Sequence, residues 1–294
     1  MTLSEINRVE VLYPRGVRTG GPKCLHQLVD SIRRLGVEAH LVPLPGTESK
    51  IRVEEYAKYD APEKSRLSDD RHVLVITPET SFRAVEALRK SSVGVWWLSV
   101  DFAVPFELKK AWERRAPASK VARVFARNAL TGEYAAFKAL SKRGLGHVLH
   151  FAHSFYAYSE VVSAFGVEPM MLSDYTEPEN YKDSEVYREK VDRITNRVTY
   201  NPKKGAELVC RVADSMRDVE FVPLKGFSRE DVIRKLKSSA LYLDLGHFPG
   251  KDHLPREAAR AGTPVLLAKR GAASNKEDFP HLDCFKVSVS GPGW

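Results

Sequence analysis

Arg8-Val9-Glu10-Val11-Leu12-Tyr13, then Pro14-Arg15-Gly16-Val17-Arg18-Thr19-Gly20-Gly21-Pro22, then Lys23 to Leu35, then Gly36 and Val37 to Val42: this run decides the fold. The first six residues read as a strand and the glycine-containing stretch as a loop. Leu25, Leu28, Val29, Ile32 and Leu35 recur at steps of three and four, one face of a 3.6-period helix. Gly36 closes that helix as its C-terminal cap, and Val37 to Val42 is the next strand. Strands that alternate with helices imply a parallel sheet covered on both sides.

The same alternation continues outward. Pro43 to Asp70 is polar and irregular, a long excursion over the surface. Val73–Thr77 and Val93–Leu98 are strands of the buried type, with a helix expected around Phe82 to Lys90 between them. After a basic helical segment come short strands at Val148–Ala152 and Pro169–Leu172. The second half repeats the scheme: strands at Arg197–Tyr200, Val219–Leu224, Ala240–Leu245 and Thr263–Ala268. Its helices carry Leu208, Val209, Val212 and Met216, then a start capped by Ser228 with Asp231 three positions on, then a short one from Pro255 to Gly262. The polar stretch Ser173 to Asp183 marks the join. The expected architecture is α/β, two doubly wound parallel sheets in tandem over 1–172 and 173–294, facing each other across a cleft.

Composition excludes several classes. Three cysteines (Cys24, Cys210, Cys284) without CxxC spacing exclude a disulfide scaffold and a structural zinc site, so no metal is expected and the compartment is reducing. No apolar run approaches the ~20 residues that cross a bilayer. The start MTLSEINRVEVLYPRG lacks the pattern of a signal peptide, and a cytoplasmic protein is expected. Lys and Arg total 46 against 38 Asp and Glu. Between Pro105 and His147 stand ten basic residues, Lys109, Lys110, Arg114, Arg115, Lys120, Arg123, Arg127, Lys138, Lys142 and Arg143, against three acidic ones, so one segment holds nearly the whole excess. Concentrated positive charge attracts anionic partners; the competing reading is a solvated helical face.

Ligands of doubly wound sheets bind outside the carboxyl ends of the strands. Four strand-end loops therefore carry weight. Gly20 and Gly21 before the first long helix would let a ligand approach the backbone, although turns use glycine for steric reasons as well. Tyr200-Asn201-Pro202-Lys203-Lys204-Gly205 sets two lysines at a helix start, where they oppose the helix dipole unless an anion sits there. Asp244 to Glu257 packs His247, Gly250, Lys251, Asp252, His253, Arg256 and Glu257 between a strand and a helix; its histidines lack metal spacing, and Glu257 is placed either to accept sugar hydroxyls or to serve the helix dipole. Trp96-Trp97-Leu98-Ser99-Val100-Asp101 ends a buried strand on a carboxylate fit for general-base work or for a helix cap.

These residues carry a resemblance. GKDHLPREAARAGTPVLLAKRG resembles the donor-binding signature of GT-B-fold glycosyltransferases, and YNPKKG resembles their lysine–glycine diphosphate loop. TGGPKCLHQLVDSIRRLG, VITPET, VWWLSVD, HFAHSFYAYSE, MLSDYTEP, FVPLKGFSREDV and DLGHFPGKDHLPREAARAGTPV together resemble bacterial glycosyltransferases of polysaccharide type along essentially the whole chain. The resemblance implies two Rossmann-like domains, the first for the acceptor and the second for a UDP- or GDP-linked sugar, which is a co-substrate and not a cofactor. Lys204 falls on the diphosphate-contacting lysine and Glu257 on the second of two signature glutamates. The chain departs from the pattern twice: Pro249 stands at the first glutamate and Thr199 at the arginine five positions before the lysine.

The expectation is a metal-independent glycosyltransferase. Its donor set is Gly20, Gly21, Asn201, Lys203, Lys204, Gly205, His247, Gly250, Lys251, Asp252, Arg256 and Glu257. Asp101 is the base, with His153 second, and the acceptor set is Lys109, Lys110, Arg114, Arg115, Lys120, Arg123 and Arg127. The basic segment points to a polyanionic acceptor: double-stranded DNA with hydroxymethylated bases first, since no amphipathic membrane helix is evident, and a charged or lipid-linked glycan second. Alternatives are a binding module of the same fold without turnover, motivated by Pro249, and a sugar-nucleotide epimerase, which leaves the basic segment unexplained.

Overall fold

A computed structural model describes residues 5–113, 116–142, 148–176, 189–280 and 283–289. They form two compact units with the break between Asp174 and Tyr175. The first holds β1 (Arg8–Tyr13), β2 (Glu38–Pro43), β3 (Val73–Pro78), β4 (Ser92–Trp97), β5 (Leu149–Ala152) and β6 (Met170–Met171). They pair in the order β2-β1-β3-β4-β5-β6, every pair parallel. Helix α1 (Gly20–Arg34) joins β1 to β2; α2 (Val104–Glu113), α3 (Ala118–Thr131) and α4 (Glu133–Lys142) lie between β4 and β5; α5 (Phe155–Phe165) precedes β6.

Period-2 alternation divides each strand between two apolar layers. Val9, Val11 and Tyr13 of β1 and Leu74 and Ile76 of β3 join Cys24, Leu25 and Val29 of α1. Leu12, Val73 and Val75 join Val93, Val95, Trp97 and Phe106 in the other layer. A sheet buried on both faces needs strands that are apolar throughout, which is how β3 and β4 read.

Four local readings change. The segment expected as a helix from Phe82 to Lys90 is a single 3₁₀ turn, Phe82–Val85. Phe82, Val85 and Leu88 are buried at steps of three, the period of a 3₁₀ turn and not of an α-helix. Helix α5 has no counterpart in the sequence reading, although Ser154 caps it, its Oγ accepting from the Ala157 amide at 3.1 Å, and Gly166 closes it at φ +66°. The excursion after β2 is anchored, since Tyr56, Tyr59 and Ala61 are buried against the α1 layer. Leu35, expected on the core face, is exposed because α1 ends before it and Gly36 turns the chain away at φ +80°.

The second unit holds β7 (Ile194–Tyr200), β8 (Glu220–Pro223), β9 (Ser239–Asp244), β10 (Val265–Ala268) and β11 (Lys286–Val287), in the parallel order β11-β10-β9-β7-β8. Its helices are α6 (Ala206–Ser215), α7 (Arg229–Lys237) and α8 (His253–Arg260). Ser228 caps α7 by accepting from the Asp231 amide at 3.1 Å, and its hydroxyl donates to the Asp231 carboxylate at 2.7 Å. Both sheets reverse strand order beside their first strand, at β1/β3 and at β7/β9. Those reversals open the crevices in which ligands of such sheets sit.

Trp97 ties the first unit together: fully buried, it packs on Phe82, Phe106 and Phe165 and donates its indole N–H to His150 Nδ1 at 3.1 Å. Trp97→Ala is expected to cost about 3–5 kcal/mol, read as a lower urea midpoint. An unchanged midpoint would contradict this packing account.

Candidate functional site

In the second unit the loops after β7 and β9 meet at two glycines. Gly205 lies at φ +63°, and a Cβ there would stand 2.6 Å from the Gly246 nitrogen and 2.8 Å from the Leu245 carbonyl oxygen. A Cβ on Gly246 would in turn stand 2.5 Å from Cβ of Lys204. Only glycine permits both the left-handed conformation and this approach. Asp244 fixes the β9 side: its carboxylate accepts from the Gly246 amide at 2.9 Å and the Tyr242 hydroxyl at 3.0 Å. Burial, with Asp252 nearby, pushes the Asp244 carboxyl up to about 6.

Lys204 therefore projects from the start of α6 over the β9 loop. Its ammonium is hydrogen-bonded to the Asp252 carboxylate and stands 5.7 Å from the centre of the Phe248 ring. The dipole penalty expected of Lys204 is thus offset internally, by Asp252. Asn201 turns the loop by accepting from the Lys203 amide at 3.0 Å, and the Lys203 side chain is exposed. Gly205 is the N-cap of α6 and no side chain caps that helix. Arg256 folds back along the start of α8, its guanidinium donating to the carbonyls of Lys251 and Asp252, both at 3.2 Å. Glu257 is buried and paired with Arg229 at 3.0 Å. Gly250 is buried beside Pro249, and His247 lies against Gly271, where a Cβ would meet its ring at 2.9 Å. Asn201, Lys204, Gly205, Asp252 and Arg256 thus form one connected cluster. Asp244 and Gly246 belong to it, and Arg229 is the partner of Glu257, although the sequence reading assigned none of the three a role.

In the first unit, Gly20 and Gly21 open α1 after β1, as expected. A Cβ on Gly21 would meet only Leu98 at 3.9 Å, an ordinary contact, so the fold itself does not demand glycine there. Asp101 lies in the short turn after β4, buried, and accepts the Tyr156 hydroxyl at 2.7 Å. The turn is held from below by Glu79 at the end of β3, whose buried carboxylate accepts the amides of Leu98 at 3.0 Å and Ser99 at 2.8 Å. Burial pushes the Glu79 carboxyl up against those two donors. His153 is buried after β5, with Nε2 2.9 Å from Asp174 and 4.0 Å from the Cys24 sulfur. Ligand-type atoms of Cys24, His153 and Asp174 lie within 4.8 Å of one another, a grouping that could hold a metal ion. The sequence assigns no role to Glu79, Tyr156 or Asp174, although all three sit in the runs VITPET, HFAHSFYAYSE and MLSDYTEP quoted above.

The basic segment is less uniform than its composition. Lys110 is buried, hydrogen-bonded to Glu160 and set against the Tyr156 ring, so it builds the interior of this face and is not presented at a surface. Arg127 pairs with Glu107, and Lys109 stands 3.9 Å from Glu160. Lys120 and Arg123 are exposed; Arg114 and Arg115 lie outside the described residues. Beside these cations, Trp112 is 81% exposed, Phe125 66% and Leu130 84%. Among the described residues no helix is long and apolar enough to cross a membrane.

No protein-family model matches the sequence, and no curated protein does. Solved structures do. A glycosyltransferase from Rickettsia africae aligns at TM-score 0.53 and 11% identity over 98% of this chain and 86% of its own. Sucrose-phosphate synthase from Thermosynechococcus elongatus aligns at TM-score 0.51 and 12% identity over 90% of this chain and 82% of its own. The chain has the GT-B glycosyltransferase fold. An alpha-glucosyltransferase in complex with UDP and a DNA containing a HMU base also aligns, at TM-score 0.46 and 11% identity over 92% of this chain and 84% of its own, too loosely to bear on the acceptor. Within this GT-B fold, the clusters above occupy the carboxyl ends of the strands in both sheets.

The carboxyl of Asp244 is raised on folding from an ordinary 3.8 to about 6, so its protonated form favours the folded state. Its contribution is fully present below pH ~4 and is lost as pH rises through ~6. The wild type should therefore lose about 2 kcal/mol more than Asp244→Asn between pH ~4 and ~6, measured by urea unfolding. Parallel pH profiles for the two proteins would contradict the burial of a titrating carboxyl here.

Proposed function

We propose that this protein transfers a sugar from a nucleotide-sugar donor, UDP- or GDP-linked, to a hydroxyl group of an anionic acceptor. The observation that carries the reading is the lysine and glycine-capped helix start at the β7/β9 reversal, where backbone and ammonium groups converge on one strand-end loop. The shared fold supports it, since the Rickettsia protein is a glycosyltransferase by name.

The chemistry asks for three things. As the bond from the anomeric carbon to the diphosphate oxygen breaks, its electron pair stays on the diphosphate. Lys204, Lys203 and the N–H groups at the start of α6 stabilise that charge. Arg256 and Glu257, on α8, orient the nucleotide end: Arg229 holds one Glu257 oxygen and leaves the carboxylate fixed to accept a sugar hydroxyl. The acceptor oxygen then bonds to the anomeric carbon and its proton passes to a base, Asp101, oriented by Tyr156 and by the Glu79-held turn. In this reading the lysines meet the leaving-group charge without a metal.

One observation favours a second reading. Lys204 with Asp252 and Glu257 with Arg229 are already neutralised within the protein, the state expected of a module that binds nucleotide without turnover. Incubation with a panel of UDP- and GDP-sugars separates the two: release of free nucleoside diphosphate rejects the module.

Lys204→Ala is expected to weaken UDP or GDP binding by about 1.5–3 kcal/mol, roughly ten- to a hundredfold, by calorimetry. Asp252→Asn, which frees the ammonium, should leave that affinity equal or raise it; a loss would mean that Asp252 itself contacts the donor. Asp101→Asn should cut turnover by about 10²-fold or more while sparing donor affinity. Full activity in Asp101→Asn would exclude it as the base.

A further inference from the structure

Helix α3 carries two stripes that the core does not use. Ala118, Val121, Ala122 and Phe125 recur at i, i+3, i+4 and i+7 and therefore share one face. That spacing ordinarily marks a core-facing stripe. Here the core takes another face instead, the one bearing buried Val124 and Asn128. The apolar stripe lines a groove of about 1030 Å³ together with Leu108, Trp112 and Ala116, every lining residue apolar. Lys120, Arg123 and Arg127, at i, i+3 and i+7, form a second stripe on the opposite side of the helix. Lys120 and Arg123 have no ion-pair partner among the described residues.

Exposed apolar surface of this kind marks a binding surface. A helix with aromatic and aliphatic side chains along one face and Lys and Arg along the other lies in the plane of a lipid interface. Its apolar face enters the acyl boundary and its cations stay at the level of the headgroups. DNA binding would use the cations and leave Trp112 and Phe125 in water, whereas a lipid surface accounts for both stripes at once. We propose that the α2–α3 face of the first unit docks on an anionic lipid bilayer, with Trp112 and Phe125 inserted and Lys120, Arg123 and Arg127 adding attraction to the headgroups. Among the described residues no helix spans a membrane, but an interfacial helix lies on the bilayer, and α3 is the amphipathic helix that the sequence did not make evident. The docking stands on this surface alone and does not depend on the transferase reading.

The test is flotation of the full chain with vesicles of phosphatidylcholine alone and of phosphatidylcholine with phosphatidylglycerol, beside duplex DNA binding and the oligomeric state in solution. The wild type is expected to float with the anionic vesicles and at least about tenfold less with neutral ones. Trp112→Ala with Phe125→Ala should lower binding to the anionic vesicles by about tenfold or more. Both side chains are exposed, so the melting temperature and nucleoside diphosphate affinity of this double variant should stay at the wild-type values, which separates docking from a failure of the donor site. No flotation with anionic vesicles would overturn the proposal. So would equal flotation of wild type and double variant, binding to duplex DNA alone, or a dimer that the double variant dissociates.

Discussion

The approach of Gly205 to Gly246 is the constraint on which the second unit's site depends. Two loops leaving neighbouring parallel strands can cross this closely only if neither carries a side chain at the crossing. The crossing sets Lys204 over the β9 loop, makes Gly205 the cap of α6, and brings Asp252 within reach of the ammonium. The buried Asp244 carboxylate holds the turn from beneath at the cost of its own ionisation. Local geometry at one pair of glycines thus becomes a backbone-lined turn that carries a lysine paired with a carboxylate.

Charge within these sites is matched from inside. Lys204 has Asp252, Glu257 has Arg229, Lys110 has Glu160 and Asp101 has the Tyr156 hydroxyl. Burying any of these groups alone would cost several kcal/mol, and pairing lowers that cost. A diphosphate arriving at Lys204 would compete with a carboxylate already in place, so donor affinity on this account is a difference between two anions on one ammonium. Glu79 solves the same problem differently, with two backbone amides and no cation.

Much of this was legible beforehand. Apolar runs gave every strand except the two-residue β11, periodicity gave helices α1 and α6, and the Ser228–Asp231 cap gave α7. Periodicity failed at Phe82, where a stripe of period three forms a 3₁₀ turn, and it passed over α5, where Ala157, Val161 and Phe165 recur at steps of four with Ser159, Glu160 and Ser163 on another face. The strand-end residues Lys204, Gly205 and Asp252, which the structure brings together, stood out because topology, more than side-chain type, decides where ligands go in such sheets. Arg229 beside Glu257, Glu79 beneath the Asp101 turn and Asp174 beside His153 were missed because pairing across some twenty to thirty residues leaves no local pattern. The basic segment misled in the opposite way: composition counted Lys110 with the surface, and the exposed aromatics of α2 and α3 became visible only once the core was seen to use a different face of α3.

The central claim is that a nucleoside diphosphate is held by the loop from Asn201 to Gly205 at the β7/β9 reversal. A crystal structure of the protein soaked with UDP or GDP tests it most directly. The account predicts phosphate oxygens within hydrogen-bond distance of Lys204 Nζ and of the first amides of α6, with the Lys204–Asp252 pair opened. Diphosphate bound anywhere else, with that pair intact, would contradict it.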